Sequence, residues 1–146
     1  MSWDDFATQA KAAADWGANY HMTIRDRPVR AQTKPGDTAA LLEPSPPEDG
    51  TGLDTIMADF ERIVMPGLTH WQHPRFFAYF NANAAPASVL AELVAAIIAP
   101  QCMLWQTSPA ATEMETRMLD WLRQGLCLPV EYQGVIQDSA SSATLA

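Results

Sequence analysis

Apolar residues recur at helical spacing near the start of the chain and predict one long amphipathic helix. Ser2 is a suitable N-cap for this helix, whose third position would be Asp5. A stripe of this kind needs another helix to pack against, either in the same chain or in a second copy. The apolar or small positions that repeat every three or four residues are Trp3, Phe6, Ala10, Ala13, Gly17, Tyr20 and Ile24.

Three later segments also have helical patterns. A second helix should begin at Thr51 or Asp54 and end at Pro66-Gly67, and a third should cover residues 86–99. The third segment is apolar on nearly every side, so something larger than the neighbouring helices must cover it. Ser108 and Pro109 predict the start of the last long helix. Its inward positions would be Met114, Met118, Trp121, Leu122 and Leu126.

The segments between and after these helices have other patterns. Residues 25–50 contain five prolines and predict an irregular strap across a surface. Val135-Ile136 predict a short strand, and the small residues 139–144 after it predict the start of another helix. Such a helix start suits a phosphate group, although a serine-rich helix cap is the more common explanation. Because this last helix is barely begun, we expect the chain to be a fragment or one piece of a larger assembly.

The most distinctive stretch of the chain is HWQHPRFFAYF, residues 70–80. Pro74 disfavours a helix here, so the segment should be extended or turn-like. So many aromatic rings indicate either packing in a core or subunit interface, or the wall of a pocket for a flat organic ligand. His70 and His73 could bind a metal only with more ligands and a regular helix, so we expect no metal site.

Composition narrows the functional classes. The chain has 9 basic and 17 acidic residues and a formal net charge of −8. With no basic run, it lacks the usual surface for nucleic acid or an anionic membrane. We expect a cytoplasmic protein, because the acidic start does not resemble an export signal and no apolar run is long enough for a bilayer.

Three motifs together resemble the opening part of the group II pyridoxal-phosphate-dependent amino-acid decarboxylases, with the aromatic-L-amino-acid decarboxylases as the most similar subgroup. The motifs are IVMPGLTHWQHPRFFAYF at residues 63–80, SPAATEMETRMLDWL at residues 108–122 and GVIQDSASSATLA at residues 134–146. They occur in the family's order and without a large insertion.

The resemblance implies a fold-type-I enzyme that works as a homodimer with pyridoxal 5'-phosphate as its cofactor. Over this chain the fold would be mainly α. Residues 1–84 would form a helical dimerisation segment that wraps the partner subunit and includes the strap, and residues 85–146 would begin the α/β large domain. The implied reaction converts an aromatic L-amino acid to its amine and carbon dioxide.

The resemblance also implies roles for individual residues. Ala140 and Ser141 match positions that hold the cofactor phosphate. The positions that match the family's substrate pocket are Trp71, Tyr79, Phe80, Ala82, Gln101 and Met103. Phe76 and Phe77 would serve in packing.

Several departures from the family pattern affect substrate choice. Asn81-Ala82 replace a common Pro-Thr pair, which removes a hydroxyl expected near the substrate carboxylate. Gln101 and Met103 occupy positions that relatives often fill with apolar or aromatic residues. A further departure concerns the cofactor, since Asp138 stands where glycine is common and an acidic group beside the phosphate is unfavourable unless it points away.

The family's catalytic groups are expected outside these residues. The lysine that forms a Schiff base with the cofactor would lie beyond residue 146, since Lys11 and Lys34 match neither its position nor its setting. The chain should therefore be inactive alone and should need the remainder of the enzyme. The alternative is a truncated helical dimerisation module without catalytic activity.

Overall fold

The computed structural model describes residues 1–80, 84–137 and 139–145, apart from the side chain of Ala140. Over these residues the regular structure is helical and includes no strand, which agrees with the predicted mainly α class. None of the helices they form is long and apolar enough to cross a membrane. The chain divides into two compact units, Met1–Ala84 and Ala85–Ala146. Their roles as dimerisation segment and start of a large domain stay predictions.

The first unit begins with the predicted long helix, α1, at Trp3–Thr23. Its capping box is formed as expected. The Asp5 backbone N–H donates to Ser2 Oγ at 3.1 Å, and the Ser2 N–H donates to Asp5 Oδ2 at 2.8 Å. A 3-10 turn at Ile24–Asp26 follows, and the Ile24 side chain is buried.

The second helical segment changes its winding along its length. It begins as α2 at Leu53–Asp59, continues as a π-helix at Phe60–Val64 and ends as a 3-10 turn at Met65–Gly67. The predicted end at Pro66-Gly67 is confirmed, but the segment is not one uniform α-helix. A π turn contains more residues than an α turn, so the side chains after it point in a different direction around the helix axis than they would in a continuous α-helix. Ile63 and Met65, which lie in and after the π turn, are buried.

The α1 helix has a packing partner in the same chain, but its contacts with the second helical segment come from Trp16 and Gln9, which are not positions of the predicted stripe. The Trp16 ring meets the Phe60 ring edge-on at 5.6 Å between centroids, and its indole N–H donates to the Glu61 carboxylate. About two turns closer to the start of α1, the Gln9 amide donates to Asp54 Oδ1 at 3.3 Å. The helix beginning at α2 is therefore packed along α1.

The strap between these helices is irregular, as predicted, apart from 3-10 turns at Ile24–Asp26 and Ala39–Leu41. Two hydrogen bonds link the strap to the start of the aromatic stretch. The Val29 carbonyl accepts from the His70 N–H at 2.9 Å, and the Ala31 N–H donates to Thr69 Oγ1 at 3.3 Å. These bonds fix where the aromatic stretch begins.

The second unit contains α3 at Pro86–Ile98, α4 at Pro109–Gly125 and the short α5 at Ala140–Leu145. Ser108 stands at the N-cap of α4 as predicted, but its side chain makes no capping bond. The α4 helix closes with Cys127 in the left-handed conformation and a Leu128 N–H to Arg123 carbonyl bond of 3.0 Å. That geometry ordinarily favours glycine, yet Gly125 lies inside the helix.

Two predictions for this unit are wrong within the described residues. Val135 and Ile136 form no strand, because no described segment lies beside them to complete a ladder. The Ile136 N–H donates instead to Glu115 Oε1 at 2.9 Å. The expected inward positions on α4 are all exposed, with Met114 and Trp121 at 67% and 59%.

Candidate functional site

Two consecutive tight turns give the aromatic stretch its shape. The His73 N–H donates to the His70 carbonyl at 3.0 Å, and the Phe76 N–H donates to the His73 carbonyl at 2.9 Å. Pro74 lies in the second turn, where its missing N–H costs no hydrogen bond. The predicted extended or turn-like conformation is therefore confirmed, and its turns bring residues 70 to 76 close together.

The two histidines of this stretch are its most deeply buried polar residues. His70 and His73 are 4% and 2% exposed, whereas Trp71 between them is 41% exposed. His73 Nδ1 accepts the Arg75 backbone N–H at 3.0 Å. A neutral ring that accepts this bond has its proton on Nε2, a buried atom that has no hydrogen-bond partner among the described residues. Burial of the histidines anchors the chain on both sides of Trp71.

His70 joins the stretch to α1 through a side-chain hydrogen bond. Its Nδ1 lies 2.9 Å from the Tyr20 hydroxyl, across 50 residues of sequence. The Tyr20 ring stacks on Trp16 at 5.6 Å between centroids, with 14° between the planes. The Arg27 guanidinium lies over the same ring, 5.4 Å from its centroid. Trp16 and Arg27 therefore fix the Tyr20 ring, and the Tyr20 hydroxyl is hydrogen-bonded to His70.

The surroundings of this pair disfavour charge. Burial lowers the pKa of His70, and its electrostatic interactions with Arg27 and His73 lower it further. Burial also raises the pKa of Tyr20, against the opposing effect of Arg27. Both groups are therefore neutral at neutral pH.

We expect the contact between His70 and α1 to weaken in mild acid. The folded pKa of His70 lies below its ordinary 6.5, so the unfolded chain binds the proton more tightly. The stabilisation is complete above about pH 6.5 and is lost as the pH falls through the lower folded value. Amide exchange of residues 69–76, corrected for intrinsic rates, should be faster at about pH 5.5 than at about pH 7.5. The variant His70→Gln should lose this pH dependence, and an equal corrected rate at both values in the parent protein would refute it.

Trp71 organises the exposed aromatic rings. Its ring stacks on Phe76 at 5.0 Å and on Tyr79 at 5.5 Å, with 28° and 15° between the planes. Tyr79 has a left-handed backbone with φ of 56°, a conformation that costs a non-glycine residue about 1–3 kcal/mol. The Tyr79 side chain is nevertheless 88% exposed. We call Trp71, Phe76 and Tyr79 the aromatic wall.

The other predicted pocket positions are described singly. Phe80 is 99% exposed and extends from the end of the aromatic wall. Gln101 and Met103 lie between α3 and α4 in the second unit and are both exposed. Ala82, with the departures at Asn81 and Asp138, lies outside the described residues. The substrate-binding roles of all these residues stay predictions.

The two phenylalanines expected to pack differ from each other. Phe76 is partly buried against Trp71, whereas Phe77 is 91% exposed. Nothing in the described residues covers the Phe77 ring, so its packing role stays a prediction about the complete protein.

The predicted phosphate-binding residues stand at the start of α5. Ser139 lies directly before α5, and its Oγ accepts the Ser142 N–H at 3.2 Å, so it caps the first turn of the helix. Ala140 and Ser141 occupy the first turn, and the Ser141 side chain is exposed. Small residues and N–H groups at a helix start are compatible with a phosphate group, so the residues present fit that part of the cofactor. The described residues hold no cluster of three or more potential metal ligands.

The sequence pattern did not reveal two features of this site. The spacing predicts only an apolar stripe position for Tyr20, and the left-handed backbone of Tyr79 has no local signal in a non-glycine residue. A tyrosine on an otherwise apolar stripe was the available hint, because a buried hydroxyl needs a hydrogen-bond partner.

Comparisons with known proteins identify the family of the chain. Residues 35–146 match the model of the pyridoxal-dependent decarboxylase conserved domain. An aromatic-L-amino-acid decarboxylase from Manduca sexta is 44% identical over 99% of this chain and 30% of its own length. A phenylacetaldehyde synthase from Arabidopsis thaliana is 42% identical over 90% of the chain and 28% of its length.

Solved structures give the same result. The crystal structure of Catharanthus roseus tryptophan decarboxylase with L-tryptophan superposes with a TM-score of 0.92 at 33% identity. The match covers 97% of this chain and 31% of that protein, so the chain spans about a third of the relatives it matches. Because the family model matches most of this chain, the chain belongs to the pyridoxal-dependent decarboxylase family.

Proposed function

We propose that the chain is the N-terminal portion of a pyridoxal-phosphate-dependent enzyme that converts an aromatic L-amino acid to its amine and carbon dioxide. The observation that carries this proposal is the aromatic wall, in which exposed flat rings are held on buried anchors. The chain's similarity to an aromatic-L-amino-acid decarboxylase and to a tryptophan decarboxylase supports it.

The role of this chain would be to bind and orient the substrate. Trp71 and Tyr79 lie nearly parallel, and their exposed faces offer an aromatic side chain stacked or edge-on contacts. Such ring pairs contribute about 0.5–1.5 kcal/mol each beyond area burial. Phe80 would extend the same apolar surface, and Ala82, Gln101 and Met103 would complete the pocket and tune its choice among aromatic side chains.

The second unit would hold part of the cofactor. Ala140 and Ser141 would bind the phosphate through backbone N–H groups and the serine hydroxyl at the start of α5. The bound cofactor supplies the withdrawal of the electron pair released when carbon dioxide leaves the substrate. Because the cofactor lysine is expected outside residues 1–146, the chain alone should be inactive.

The large domain and the second subunit are further parts of the proposal. The exposed apolar faces of α3 and α4 support a covering domain, and the fold would be that of a fold-type-I homodimer in the cytoplasm. Light scattering on the purified protein should give the mass of a dimer. A monomer at high concentration would contradict the proposed homodimer.

Intact mass and absorbance of the natural gene product separate the enzyme from a dimerisation module. We expect a longer polypeptide, or a co-purifying larger fragment, with absorbance at about 420 nm from bound cofactor. A single 16.0 kDa species without that absorbance would support a dimerisation module without catalytic activity and would contradict the proposed enzyme.

A further inference from the structure

Among the contacts of the described residues, a hydrogen bond between His70 and the Tyr20 side chain joins the turns that carry Trp71 to α1. His70 directly precedes Trp71 and is almost fully buried. Its backbone N–H is bonded to Val29, and its Nδ1 is bonded to the Tyr20 hydroxyl at 2.9 Å. The position of Trp71 therefore depends on a group 51 residues earlier in the chain.

The geometry points to Tyr20 as a positioning residue for substrate binding. We propose that its hydroxyl, acting through His70, sets the position of Trp71 and so of the aromatic wall that receives the substrate ring. This inference rests on the proposed function, because it takes the aromatic wall as the substrate surface. Tyr20 contacts His70 through its hydroxyl and its ring, so its proposed effect on Trp71 is indirect and passes through His70.

The Tyr20 ring is fixed independently of its hydroxyl. Trp16 stacks on one side of it, and Arg27 lies over the ring. The variant Tyr20→Phe would keep both contacts and remove only the hydroxyl. It would leave His70 Nδ1 buried without this partner, which is a costly state for a polar atom. The anchor of the first turn would then loosen while α1 keeps its packing.

Steady-state kinetics of the complete protein that carries this chain test the proposal. Tyr20→Phe should raise KM for an aromatic amino acid about tenfold. The change in kcat should stay below about twofold, since a wall that binds substrate and transition state equally affects KM alone. Tyr132→Phe is the matched control, because it removes the hydroxyl of an exposed tyrosine in the second unit and should change neither value. An unchanged KM in Tyr20→Phe would overturn the proposal.

A double-mutant cycle shows whether Tyr20 acts through His70. If the two residues form one unit, Tyr20→Phe combined with His70→Gln should raise KM no more than His70→Gln alone. If the KM increase of the double variant equalled the product of the two single increases, Tyr20 would not act through His70.

Amide exchange separates this proposal from the function on which it rests. Exchange of residues 70–76 in Tyr20→Phe should be about tenfold faster than in the parent, and this measurement needs no turnover. Unchanged exchange would overturn the positioning role even in an active enzyme. A parent protein without turnover but with the expected exchange response would overturn the proposed function and leave the Tyr20 anchor standing.

Discussion

Replacing Trp71 with alanine is expected to lower kcat/KM for aromatic amino acids about a hundredfold. The substrate would lose a ring contact of about 0.5–1.5 kcal/mol. Without the Trp71 stack, the left-handed backbone of Tyr79 is expected to relax, and substrate binding would then have to restore a conformation that costs about 1–3 kcal/mol. Together these effects approach the 2.7 kcal/mol or so that a hundredfold change requires.

The matched variant Trp71→Phe keeps a flat ring against Phe76 and Tyr79. Its kcat/KM should fall less than about fivefold, because a smaller ring retains part of each stack. Steady-state kinetics of the complete protein measure both variants. A Trp71→Ala enzyme within threefold or so of the parent would show that the aromatic wall does not contact the substrate.

A charged group in the middle of α3 is expected to destabilise the complete protein by about 3 kcal/mol or more. Leu90 is 61% exposed in this chain, and the helix around it is apolar apart from Ser88 and Glu92. If a larger domain covers this helix, Leu90→Asp buries an unpaired carboxylate. The same substitution in the isolated chain should change stability by less than about 0.5 kcal/mol, as at other exposed positions.

Thermal unfolding of the two forms measures this difference. Leu90→Met is the matched control, since a swap of similar volume in a packed interior costs less than about 1.5 kcal/mol. Equal melting temperatures for the complete parent protein and its Leu90→Asp variant would mean that α3 stays in water, and the covering domain would have to be abandoned.

Local chemistry made much of the helical framework predictable. The capping box at Ser2, the stop at Pro66-Gly67 and the start at Pro109 each depend on neighbouring residues, and the structure has all three. The π-helix after α2 was not predictable, because its winding depends on how Phe60 and its neighbours pack against α1. The missing strand at Val135-Ile136 has a similar cause, since a strand exists only beside another.

The candidate site was predictable in its residues but not in its geometry. The density of rings around Pro74 identified the aromatic stretch, and the family resemblance selected Trp71 and Tyr79 within it. The stack between those two rings depends on turns fixed by buried His70 and His73 and by Tyr20, all set by tertiary contacts. Such contacts cannot be predicted from the spacing of residues in the sequence.

The central claim is that this chain provides the aromatic wall of an amino-acid decarboxylase. The most direct test is product analysis of the purified complete protein, supplied with pyridoxal phosphate and with L-tryptophan, L-tyrosine, L-dihydroxyphenylalanine or L-phenylalanine in turn. Our account predicts equal amounts of carbon dioxide and amine from at least one of them. Release of no carbon dioxide from any of the four, or an aldehyde in place of the amine, would contradict it.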